Sequence, residues 1–122
     1  MDVPVVSARS CFQGLHKDSP ILWKQLAFKR LVSEWSKNLL GDYLHVISIG
    51  DSVHEREALF RVHKEYVSII PKSIKFRDRP SLFQLIAQHK VLQGKLPIVF
   101  NEKGSLDLCI SKSNLVNFQN FF

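Results

Sequence analysis

The sequence is poor in the covalent devices that small proteins use in place of a large core. Its 122 residues hold two cysteines, Cys11 and Cys109, and neither belongs to a Cys-X-X-Cys pair. That excludes a disulfide framework and a zinc-finger spacing. No run approaches the roughly eighteen apolar residues that a membrane-spanning helix needs. The opening MDVPVVSARS has an acidic residue where a signal peptide carries basic ones, and it lacks an apolar segment of signal length. A soluble cytoplasmic protein without a membrane partner is the expectation. Catalytic signatures are also scarce. The five histidines form no HExxH spacing. Ser7 and Ser10 lack the GxSxG setting of a nucleophile elbow, and Cys11 has no identifiable base.

What is present is an ordinary globular composition, 45% hydrophobic and 23% charged, with nine Phe and two Trp to build a core. Seventeen Lys and Arg face eleven Asp and Glu, a formal net charge of +6. Such a balance favours approach to phosphate-rich partners. The cations are scattered, however, and the densest cluster is only Lys72, Lys75, Arg77 and Arg79. With no arginine-rich arm and no aromatic RNA-binding signature, a solvated basic surface outweighs a nucleic-acid-binding domain.

Val3 to Val6 is a short β-branched run ending at Ser7, the pattern of a buried strand. Ser19-Pro20 starts a helix, with Ser as N-cap and Pro at the first helical position. Trp23, Leu26, Ala27, Leu31 and Trp35 then recur at helical spacing as a core stripe, and the helix should stop before Gly41. Tyr43 to Ile49 reads as a strand and Val53 to His63 as a helix. Two β-rich runs follow, Tyr66 to Ile70 and Ser73 to Phe76, divided by Pro71-Lys72. Ser81 and Gln84 fit a capping box opening a helix that points Leu82, Leu85, Ile86 and Leu92 inward and ends near Gly94. After Pro97, a hairpin is expected around Asn101 to Gly104. The alternation of strands and helices argues for an α/β layer with a largely parallel sheet. Residues 1–100 read as one α/β domain and residues 101–122 as an extension holding the hairpin and an apolar tail.

The stretch V46-I-S-I-G-D-S-V-H-E55 carries the chemistry. A strand delivers Gly50 and Asp51 to its carboxyl end, where open α/β sheets bind ligands, and Glu55 follows four residues later. Two carboxylates so placed can converge on Mg²⁺, a hard cation that takes oxygen ligands and keeps several waters. The competing reading is that Asp51 is an ordinary helix N-cap. His54, Arg56 and Glu57 read as a solvated helix face, and Lys24 has an equally ordinary alternative on a solvated face.

Read in order, VPVVS ending in Ser7, Lys24 near a helix start and Gly50-Asp51 followed by Glu55 resemble three successive motifs of the haloacid-dehalogenase-like (HAD-like) superfamily. The segments WKQLAF, VISIGDSVHEREAL and KSIKFRDRPSLFQLIAQH resemble a set of uncharacterised HAD-like proteins from single-celled eukaryotes. The resemblance spans about residues 3–100 and implies a Rossmann-like parallel sheet flanked by helices. It implies a Mg²⁺-dependent phosphatase in which Ser7 hydrogen-bonds a phosphoryl oxygen. Lys24 would neutralise charge near the nucleophile, while Asp51 and Glu55 hold the metal.

One motif of that family has no counterpart. Its nucleophile opens a DxDx motif ahead of the Ser7 strand and attacks phosphorus, but the aspartates here are residues 2, 18, 42, 51, 78 and 107, none two apart. The strand bearing that motif lies centrally in HAD-like sheets, so its absence should leave an unpaired edge or force the Ser7 and Asp51 strands together. The chain therefore reads as the C-terminal half of a HAD-like phosphatase, inactive alone: a truncated product, one read from the wrong start, or a degenerate copy. A phosphorylated substrate is expected only of a full-length form. A non-catalytic interaction module, docking a protein partner or the missing N-terminal half, is the principal alternative. A basic nucleic-acid-binding domain is the other.

Overall fold

The computed structural model describes residues 3–37 and 43–121, the side chains of 120 and 121 aside. Helices α1 (Ala8–Phe12) and α2 (Pro20–Ser36) come first. Strand β1 (Leu44–Gly50), helix α3 (Val53–Glu65), strand β2 (Ile69–Lys75) and helix α4 (Leu82–Asn101) follow. Strands β3 (Leu106–Ser111) and β4 (Asn114–Asn117) and a 3-10 turn, Phe118–Phe121, complete the order. The fold is α/β: an open mixed sheet of four strands, β1-β2-β3-β4, flanked by helices. β1, β2 and β3 run parallel, and β4 returns antiparallel to β3. Among the described residues no helix is long and apolar enough to cross a membrane.

Two cores lie on opposite faces of β2, as its alternating side chains require. Ile69 packs with Val32 of α2 and Leu59 and Val62 of α3, beside Leu44 and Val46 of β1. Ile74 and Phe76 pack with Leu92 and Val99 of α4, beside Leu106 and Leu108 of β3. Helices α3 and α4 thus cover different faces, although both connections step the same way across the sheet. Two parallel crossovers advancing in one direction share a hand only if their helices share a face. Here the two are of opposite hand, and one departs from the right-handed rule.

That geometry leaves the α3 face of β3 without a covering helix, and a polar clamp occupies it. Arg56 of α3 donates from Nε and Nη2 to the two carboxylate oxygens of Asp107, at 2.8 and 2.5 Å. Its guanidinium also lies 4.1 Å from the Phe118 ring centroid and 5.5 Å from that of Phe60. The hydrogen bonds to Asp107 raise the Arg56 pKa further, against the opposing effect of partial burial. Arg56, expected on a solvated face, instead ties the C-terminal hairpin to α3.

Several local expectations need correction. Val3 to Val6 form no strand; they are exposed, with Val5 93% accessible, and Ser7 caps α1. A β-branched run becomes a strand only when a neighbour completes its ladder, and none does so here. The two β-rich runs are one strand passing through Pro71. The β2–β3 ladder starts at Lys72↔Leu106, so the missing N–H falls where β2 has one neighbour. Helix α4 begins at the expected capping box but continues through Gly94 and Pro97. Burial of Leu92, Leu96 and Val99 at helical spacing outweighs penalties of about 1 kcal/mol for Gly and about 3 kcal/mol for Pro. Within that helix Leu85 and Leu92 point inward, while Leu82 and Ile86 are exposed. The hairpin consequently joins β3 to β4 and does not turn at 101–104. Trp35 is about half exposed, and Trp23 donates from Nε1 to the His16 carbonyl. Helix α2 ends at Ser36 with Lys37 as its C-cap, before Gly41 as expected, while Gly41 itself lies outside the described residues.

The Arg56–Asp107 clamp generates a test. A double-mutant cycle of Arg56→Ala and Asp107→Ala, followed by urea unfolding, should return a coupling energy of about 1–3 kcal/mol, as for a charge-assisted bidentate pair. Strictly additive losses would show that the two side chains stabilise the fold independently.

Candidate functional site

The site forms where β1 hands the chain to α3. Gly50 closes the strand, and its carbonyl accepts a 2.7 Å hydrogen bond from the Phe76 N–H, fixing the end of β1 to β2. The N-cap of α3 is Ser52, not Asp51. The Ser52 hydroxyl accepts from the His54 N–H at 3.0 Å, and the Glu55 carboxylate accepts from the Ser52 N–H at 3.2 Å, making a capping box. Asp51 therefore stands one position ahead of the cap, with its side chain exposed.

Glu55 also receives Lys24. The ammonium, carried in the second turn of α2, forms an ion pair with Glu55 Oε1 while Oε2 keeps the Ser52 N–H. Both side chains are mostly withdrawn from solvent, at 29% and 21% exposed. Glu55 thereby joins α2, β1 and α3 at one point. Glycine at position 50 makes this possible: a Cβ there would lie 2.8 Å from both Cγ and Oε2 of Glu55.

The four residues singled out in the sequence are treated unequally. Lys24 and Glu55 meet directly, whereas Asp51 stands one residue ahead of the α3 cap and makes no hydrogen bond or ion pair to either among the described residues. Ser7 does not join them through any hydrogen bond. Its hydroxyl accepts from the Ser10 N–H at 3.1 Å and contacts the Ser10 hydroxyl at 3.0 Å. Two further residues escaped the sequence reading. Arg79 and His89 line a shallow cleft with Asp51, and His89 packs edge-on against Phe76 at 5.0 Å between centroids. Their sequence signals were diluted, Arg79 within a basic cluster and His89 among histidines without ligand spacing. That cluster is itself divided by the fold: Lys72 is wholly buried and Lys75 nearly so, while Arg77 and Arg79 are exposed.

The donor set limits what a metal could do here. Both Glu55 oxygens already have partners, so Asp51 is the carboxylate with open lone pairs. Among the described residues, no group of three or more His, Cys, Asp or Glu could hold a metal ion. A hard cation would find the open carboxylate of Asp51 here, with water or phosphate oxygens for its remaining positions, while Glu55 would first have to release Lys24 or the Ser52 N–H. The arrangement does not suit a metal that requires an all-protein cage.

Gly50→Ala should displace Glu55 and lower the unfolding free energy by about 1–3 kcal/mol, the usual scale of a core overpacked by a methyl group. In a Glu55→Ala background the same substitution should be markedly milder. Equal penalties in both backgrounds, read from urea denaturation, would contradict the close-approach account.

Comparisons with protein-family models, curated proteins and solved structures found no match to this chain.

Proposed function

We propose that this chain is the C-terminal portion of a HAD-like, Rossmann-type phosphohydrolase fold and does not turn over phosphate esters by itself. The observation that carries this reading is the Lys24–Glu55 pair, formed four residues after Asp51 at the carboxyl end of a parallel strand whose outer edge has no partner strand among the described residues. A bound phosphoryl group needs cations held in place and little covalent assistance, because phosphoryl transfer depends on positioning and charge stabilisation. Glu55 holds the Lys24 ammonium at the end of β1. Asp51 offers an open carboxylate there. When bound by Asp51 and Glu55, Mg²⁺ supplies neutralisation of phosphoryl charge. Ser7 contributes only if the segment before α1 leaves its present cap.

The reaction still needs a nucleophile, and the chain holds no DxD pair to provide one. The unpaired edge of β1 gives the second reading its support. Beside that edge, Phe28, Leu31 and Trp35 of α2 form an apolar groove with Ile47. A strand added there would lie next to Lys24 and Asp51, so an interaction module and an incomplete phosphatase have the same docking surface. The natural partner in this scheme is an N-terminal half bearing the nucleophile, and the substrate is a phosphate monoester. The nucleic-acid alternative draws less support, since two of the four clustered cations lie inside the fold.

The purified chain with Mg²⁺ and p-nitrophenyl phosphate should release product no faster than buffer. Phosphate monoester hydrolysis that disappears in Asp51→Ala would overturn the claim of incompetence. Binding of Mg²⁺, by contrast, should weaken in Asp51→Ala even without turnover, as titration calorimetry would register.

A further inference from the structure

A second cleft, sharing only Phe76 with the one at Asp51, opens where β2 and β3 end. Its volume is about 610 Å³, inside the range of about 300–1,000 Å³ usual for small-molecule sites. Phe76, Ile110 and Phe118 give it an apolar wall. Lys75, Arg77 and Lys112 also line it, against the single carboxylate of Asp78. The crevice beyond the carboxyl ends of parallel strands is the usual ligand position in open α/β sheets.

Two buried polar groups are left incompletely used at this cleft. The Lys75 ammonium has three donors. One goes to the Phe76 carbonyl at 2.9 Å and one to the Asp78 carboxylate at 3.1 Å, which leaves the third. Gln88 is only 7% exposed, and its Oε1 accepts from the Arg77 N–H at 2.6 Å, which fixes the amide. Its Nε2 then finds no hydrogen-bond partner among the described residues. Buried donors without acceptors are uncommon in folded proteins and call for an explanation. The Gln88 amide nitrogen is itself shielded from the cleft, so the donor that a ligand there can use is the third hydrogen of the Lys75 ammonium.

We propose that this cleft binds a small organic anion, with an apolar body against Phe76, Ile110 and Phe118 and a carboxylate or phosphate monoester group held by Lys75 and Lys112. The apolar wall argues against a bare inorganic ion, which would gain nothing from it. The excess of cations argues against a neutral apolar guest. None of the residues assigned to the Lys24–Glu55 pair takes part, so the proposal stands independently of the phosphohydrolase reading.

The two cysteines provide an internally controlled test. Cys109 lines the cleft, whereas Cys11 is exposed on α1. Burial raises the Cys109 thiol pKa, so labelling with methyl methanethiosulfonate should be followed in mildly alkaline buffer, with each site resolved by peptide mass spectrometry. Phenyl phosphate should slow labelling of Cys109 about five-fold at about four times its dissociation constant, leaving Cys11 unchanged. Lys112→Glu, at an exposed turn, should abolish that protection while the thermal melt stays in place. Absence of protection would overturn the proposal. Equal protection by phenol, or by inorganic phosphate alone, would overturn it as well, by removing the need for one half of the ligand.

Discussion

Strand β2 is buried on both faces and yet carries two lysines, and the surrounding structure supplies two acceptors to each. Lys72 is fully buried, and its ammonium donates to the Val99 and Glu102 carbonyls at 2.6 Å each. Those carbonyls lie at the C-terminal end of α4, where backbone acceptors lack helical partners and the helix dipole favours a cation. One side chain thus relieves a buried charge and caps a helix. Lys75, three residues on, points to the opposite face and reaches the Phe76 carbonyl and Asp78. Without such partners a buried ammonium would be severely destabilising. The positions of α4 and of the segment after β2 are therefore tied to the charges of the central strand.

The attachment of α4 to Lys72 accompanies the unusual connectivity. Helix α4 lies on the face opposite α3, so the chain crosses the sheet with both hands. On the α4 side, β1 is only partly covered: Ile47 reaches the core, whereas His45 and Ile49 are exposed. On the α3 side, β3 is covered by side chains in place of a helix. The candidate phosphate-handling site and the proposed anion cleft occupy neighbouring parts of the same strand-end rim, and Phe76 lines both.

Much of this was legible where the signals are local. The strand ending at Gly50, the helix after it and the Ser81–Gln84 capping box follow from residues within a few positions of one another. Readings failed where burial far along the chain overrode a local rule. Gly94 and Pro97 should end a helix, but Leu92, Leu96 and Val99 carry it onward by packing on the sheet. Pro71 should split a strand, but the ladder to β3 begins only after it. Val3 to Val6 have strand composition and no neighbour. At the site, family spacing brought Lys24 and Glu55 to notice, but nothing local shows that residues 31 positions apart form an ion pair. The choice of Ser52 over Asp51 as helix cap was likewise invisible, because both residue types are good caps.

The Arg56–Asp107 contact has a kinetic meaning. It joins residues 51 positions apart, across a chain whose β1-α3-β2 unit is assembled from nearer contacts. Loop-closure entropy rises slowly, by about 0.6 kcal/mol for each doubling of length, so distance alone does not prohibit so remote a contact. Such a contact is expected to form after the folding transition state, once β3 has reached the sheet. Interactions of that kind change the folding rate little and act by slowing escape from the native state. On this view the C-terminal hairpin works as a latch, governing how long the folded molecule persists more than how quickly it is made.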